Sequence, residues 1–141
     1  MDLGSTVAPA RLKVFVYGTL KPGQCNYDRY CGHAVVNQQV AIVYGQLFDL
    51  PFGYPALTPG PGVVHGVVLE FADNNVLTQL DELEDYDPQR PIGQNEYVRV
   101  LVKTFSLQHQ PLGEAWAYQM PLEQAKRFGG VRLPHGYWQG R

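Results

Sequence analysis

Cysteine is almost missing from this sequence: its 141 residues include only Cys25 and Cys31. Their six-residue spacing matches no zinc or redox pair, so they read as reduced thiols, and no disulfide is expected. Histidine is sparse as well. His33, His65, His109 and His135 are scattered without metal-ligand spacing, so no metal site is expected. Charged residues make up 17% of the chain and the net charge is −2. There is no basic excess to neutralise phosphates, which argues against a nucleic-acid partner. No apolar run approaches the length of a membrane span, so no membrane partner is expected. Residues 1–13 lack a basic region followed by an apolar core. They do not read as a signal peptide, and a cytoplasmic location follows as the default. Neither a repeat nor a linker divides the chain. Residues 1–141 read as a single domain, with residues 1–10 as a loose tail.

What the chain does contain is 45% apolar residues, 15 glycines, 11 prolines and 9 tyrosines, a mixture suited to short strands and many turns. Strands are expected over residues 12–17, 63–71, 97–104 and 114–120, with one or two more over 34–50, where Gly45 marks a bulge or close approach. Residues 51–57 read as an aromatic, proline-rich loop that either covers a sheet end or walls a pocket. Residues 59–62 read as a turn, and residues 87–95 as a polar loop. Short helices are expected over 26–31 and 122–128. The segment from Gly129, containing Gly136-Tyr137-Trp138, reads as a tail. Strands dominate, so the fold class is α+β, with the sheet either open or closed into a small barrel.

The clearest helix is predicted over residues 76–85, with Asp73, Asn74 and Asn75 as possible caps and Asp87-Pro88 as its stop near Tyr86. Val76, Leu77, Leu80 and Leu83 form one apolar stripe, Glu82 and Asp85 face water, and Asp81 lies on the border. Glu84 falls inside the stripe. A carboxylate at a core position costs several kcal/mol, as an order of magnitude, unless it is paired, hydrogen-bonded or protonated. Glu84 is therefore a candidate general acid or base, and the competing reading is a side chain bent out to solvent or paired with an arginine. The first strand ends in Gly18-Thr19-Leu20-Lys21-Pro22-Gly23. This loop is either an ordinary turn or a set of backbone N–H groups presented to an anion. Lys21 and His65 read as solvent-facing.

Three pieces occur in order: Val14-Phe15-Val16-Tyr17-Gly18-Thr19-Leu20-Lys21, then Leu80-Asp81-Glu82-Leu83-Glu84-Asp85-Tyr86, then Tyr97-Val98-Arg99-Val100. Together they resemble the gamma-glutamylcyclotransferase-like family, also called AIG2-like, over residues 14–120. The resemblance implies a small mixed β-barrel with packed helices. It implies that Tyr17, Gly18, Thr19 and Leu20 bind the α-carboxylate of a γ-glutamyl group, that Glu84 is the acid/base, and that Tyr97 is the aromatic position following it. The implied reaction is attack of a substrate's α-amine on its own side-chain carbonyl, releasing 5-oxoproline and an amine, without cofactor or metal. The family commonly has Gly after the glutamate, whereas Asp85 stands here. Two rivals remain: a tailoring enzyme that removes γ-glutamyl groups from an amine precursor, and a non-catalytic small-molecule binding module. A Glu84 that faces the 17–20 loop across a cavity favours catalysis. A Glu84 that is paired with Arg99 or exposed favours the binding module.

Overall fold

In the computed structural model, residues 11–24, 27, 34–72, 74–91 and 94–139 are described. The strands are β1 (Leu12–Val16), β2 (Val35–Asp49), β3 (Pro55–Phe71), β4 (Val98–Phe105), β5 (Pro111–Gln119) and β6 (Val131–Arg132). Helix α1 (Asn75–Leu83) lies between β3 and β4, and helix α2 (Leu122–Arg127) lies between β5 and β6. The expected helix over 26–31, both cysteines, His33, Asp73 and the 1–10 segment fall outside the described residues, apart from Tyr27.

One mixed sheet of six strands results. Its backbone is the long antiparallel β2–β3 pair, running from Val35 opposite Phe71 to Asp49 opposite Pro55. β1 adds to β3, and β4 pairs antiparallel with β5. The ring is closed by single residue pairs: Val14 with Trp116 between β1 and β5, Leu57 with Gln119 between β3 and β5, and Ile42 with Phe105 between β2 and β4. The barrel is therefore only loosely ring-like.

Residues 59–62 do not turn the chain. β3 runs through them, beginning already at Pro55, so the loop expected over 51–57 ends there. Tyr44 lies opposite Val63 and Gln46 opposite Thr58, so residues 59–62 bulge out where β2 shifts register at Gly45. Proline fits a bulge because it has no N–H to give to the ladder. Gly45 is required there, since a Cβ would lie 2.8 Å from the Thr58 carbonyl oxygen.

β1 is covered on both faces, as its run of apolar residues predicts. Leu12, Val14 and Val16 join a cluster with Val76, Leu80 and Ala125 of the helices. Phe15 and Tyr17 join a second one with Val43, Leu57 and Trp138. The segment expected as a tail from Gly129 is anchored over residues 131–138: β6 pairs with Phe48 and Asp49 of β2, and Trp138 is buried with its Nε1 donating to Asp49 Oδ1 at 3.1 Å. No helix among the described residues is long and apolar enough to cross a membrane.

Candidate active site

β1 carries Tyr17 to the sheet's end, where the phenol is tied to two other strands. Its OH donates to the Tyr118 carbonyl at 2.5 Å and accepts the Leu57 N–H at 3.2 Å. The chain then turns, with the Lys21 N–H donating to the Gly18 carbonyl at 3.0 Å. Gly18 must be glycine for reasons of space, because a Cβ would lie 2.7 Å from the Pro55 ring. Tyr97, just before β4, donates its OH to the Pro55 carbonyl at 2.6 Å. Three buried tyrosines (17, 97 and 118) thus fix the mouths of β1, β3, β4 and β5 relative to one another. Burial raises the pKa of each phenol, so all three stay protonated donors.

Between these elements lies a cavity of about 290 Å³. Every residue singled out in the sequence lines it: Tyr17, Gly18, Thr19, Leu20, Glu84 and Tyr97. Glu84 arrives there because α1 stops earlier than its apolar period suggests. The helix ends at Leu83, with Glu84 as its C-cap. The Asp85 N–H then donates to Glu82 O at 3.2 Å and the Tyr86 N–H to Asp81 O at 2.9 Å. These two bonds define a Schellman motif, whose C′ residue takes a left-handed conformation. Asp85 does so at φ 54°, which explains why glycine is at home in this position. Asp87-Pro88 therefore does not end the helix. The N-cap residue is Asn74, and its side chain makes no capping bond.

Among the described residues, no hydrogen bond or ion pair engages the Glu84 carboxyl. Burial first, and the neighbouring Glu96 carboxylate second, push its pKa up to about 8. Arg99, the possible partner, is committed elsewhere: its Nη1 lies 3.1 Å from Asp81 Oδ2. Tyr118 OH donates to the other Asp81 oxygen at 2.7 Å, and the guanidinium sits 4.8 Å from the Trp116 ring. Tyr86 flanks this group rather than the cavity.

Three polar side chains of the lining were not among the expected site residues: Tyr54, Glu96 and Tyr118. Tyr118 sits on a strand, where aromatics usually fill the core. Tyr54 belongs to the aromatic loop weighed above as a pocket wall. Glu96 had no periodic signal, since it follows a polar loop. Neither Lys21 nor His65 is fully solvent-facing. Lys21 Nζ donates to the Trp138 carbonyl at 2.5 Å, and burial lowers its pKa. His65 is half-buried and stacks on Tyr137 with ring centroids 4.0 Å apart. Among the described residues, no group of three or more His, Cys, Asp or Glu is placed to hold a metal ion.

The family model for gamma-glutamyl cyclotransferase, AIG2-like, matches residues 14–140. The chain belongs to this family. A Vibrio cholerae protein whose gamma-glutamylcyclotransferase name is provisional is 37% identical over 105 residues, covering 74% of this chain and 78% of that one. The gamma-L-glutamyl-butirosin B gamma-glutamyl cyclotransferase of Niallia circulans is 37% identical over 73 residues, 52% of this chain and 46% of that one. The crystal structure of a mouse AIG2-like protein shares the fold, with a TM-score of 0.67 at 23% identity over 93% of this chain and 90% of that one. The solution structure of ytfP from Escherichia coli gives a TM-score of 0.55 at 30% identity over 90% and 96%. The gamma-glutamyl cyclotransferase, AIG2-like family and these relatives indicate gamma-glutamylcyclotransferase-like activity on small γ-glutamyl molecules.

Proposed function

We propose that residues 1–141 form one gamma-glutamyl cyclotransferase domain, which closes a small γ-glutamyl amide into 5-oxoproline and releases an amine or amino acid. The observation that carries this reading is the Glu84 carboxyl, unpaired among the described residues and lining one cavity with the 17–20 loop.

Substrate enters as an α-ammonium, which is no nucleophile. Glu84 takes one of its protons, and the freed amine attacks the γ-carbonyl. A carboxyl with a pKa near 8 suits both halves of the reaction. It is basic enough to accept the proton and acidic enough to return it to the departing amine. The positive charge of the ammonium favours the ionised form of Glu84 on binding. Backbone N–H groups of residues 17–20 hold the α-carboxylate, and Tyr97 forms the wall opposite. The attack is intramolecular, so holding the chain folded supplies much of the acceleration. No metal or cofactor takes part in these steps.

The test is 5-oxoproline release from a panel of γ-glutamyl dipeptides and γ-glutamyl amines. The wild type is expected to release it, and Glu84→Gln to be slower by about a hundredfold or more. Equal release by both proteins would remove Glu84 from the mechanism. No release from any panel member would favour the binding-module reading. A second reading, removal of γ-glutamyl groups from an amine precursor, is supported by the match to the butirosin relative. It uses the same steps with a bulkier leaving group, and the same panel separates the two.

A further inference from the structure

The cavity holds a second carboxylate that this chemistry leaves without a task. Glu96 lines it beside Glu84, and Tyr54 OH donates to Glu96 Oε1 at 2.5 Å. The backbone beneath is fixed. The Glu96 carbonyl accepts Gln124 Nε2 at 2.9 Å, and its N–H reaches Asp85 O at 3.4 Å. The preceding residue, buried Asn95, closes its own loop by accepting the Asp87 N–H at 3.0 Å and donating to the Asp87 carbonyl at 3.3 Å. A side chain held this way is aimed, not merely tolerated.

The ion pairs among the described residues are Arg11–Glu70, Arg90–Asp85 and Arg99–Asp81. None of them includes Glu84 or Glu96. Among the described residues, two carboxyl groups thus face one small cavity with no cationic side chain in its lining, and the charge of Glu96 is felt at Glu84. Shielded carboxylates need a positive partner, and none of the described cations supplies one, so a cationic group of the ligand fits there. A γ-glutamyl group has one cation, its α-ammonium. An ammonium has three N–H donors, enough for one carboxylate that takes a proton and another that holds the nitrogen in place.

We infer that Glu96 is a specificity residue that binds the substrate's α-ammonium, with Tyr54 holding its carboxylate in position. The inference rests on the γ-glutamyl reading above. Compounds that lack the α-amine are rejected because they leave two carboxylates facing each other without a cation.

The test is calorimetric binding to Glu84→Gln, whose turnover is expected to be slower by about a hundredfold or more and so leaves the ligand intact while binding is read. The two probes are γ-glutamyl propylamide and glutaryl propylamide. They share a neutral leaving group and differ only in the α-amine, so a cationic leaving group cannot account for a preference. Glu84→Gln is expected to bind the amino compound tighter by about tenfold to a hundredfold, the range for a hydrogen bond to a charged group. In the Glu84→Gln/Glu96→Gln double variant this preference is expected to vanish, and with Glu96→Asp most of it returns. Tyr54→Phe, which leaves Glu96 in place, is expected to shrink it several-fold. A preference that survives Glu96→Gln in a folded protein overturns the inference. So does the absence of any preference in Glu84→Gln, or of binding by either probe. If the wild type releases 5-oxoproline and Glu96→Gln leaves the preference intact, only the Glu96 assignment falls. If a Glu96-dependent preference stands but no panel member yields 5-oxoproline, only the cyclotransferase reading falls.

Discussion

Asp81 in the last turn of α1 and Glu84 at its C-cap stand three positions apart and meet opposite surroundings. Asp81 has an arginine at 3.1 Å and a phenol at 2.7 Å. Among the described residues Glu84 has neither, and burial and the Glu96 charge push its pKa from the ordinary 4.5 up to about 8. Between those two values the folded chain holds a proton that the unfolded chain has lost. Stability therefore falls as pH rises through that window and is greatest below it. Urea midpoints of the wild type are expected to drop between pH 5 and pH 8 relative to those of Glu84→Gln, which cannot titrate. Parallel curves for the two proteins would show that the carboxyl is solvated. For kcat/KM, the basic form of Glu84 should give an acid limb with a midpoint near pH 8. Glu84 was legible in the sequence because a carboxylate in an apolar stripe breaks a rule. Glu96 was not, because a glutamate after a polar loop breaks none, and only the fold brings Tyr54 to it.

At the scale of the element, the period of α1 was legible and its end was not. Hydrophobic spacing locates a face but does not register how the last carbonyls are satisfied. Here a Schellman motif closes the helix through Asp85 in the left-handed region. A β-branched side chain tolerates that region poorly. Asp85→Val is therefore expected to cost about 1–2 kcal/mol in urea unfolding. Asp85→Gly is expected to be neutral or slightly stabilising, because the strain it relieves offsets the loss of the exposed pair with Arg90. No difference between the two variants would show that the conformation is not strained. The β3 strand was misread for a related reason. Two prolines and two glycines in four residues signal a turn, and nothing local reveals that Gly45 on the partner strand absorbs the extra chain.

At the scale of the molecule, the fold class and the two strands that become β4 and β5 were legible, since alternation is a local signal. The anchoring of the last residues was not. Trp138 sits against the 17–20 loop, its Cε3 3.9 Å from where a Cβ on Gly18 would lie, and Lys21 Nζ donates to its carbonyl. Trp138→Phe is expected to lose about 1 kcal/mol with the bond to Asp49. Trp138→Ala is expected to lose about 3–5 kcal/mol and to raise KM through the loop. A KM that does not change in Trp138→Ala would separate the tail from the pocket. The single-pair seams bear on how the molecule assembles. The β2–β3 hairpin can zip from its own turn, whereas joining Val14 to Trp116 closes a loop of most of the chain for one pair of residues. Such distant contacts form late. The cavity at the end of β1 should then be the last part of the molecule to mature, and refolding followed by ligand binding should lag behind refolding followed by circular dichroism.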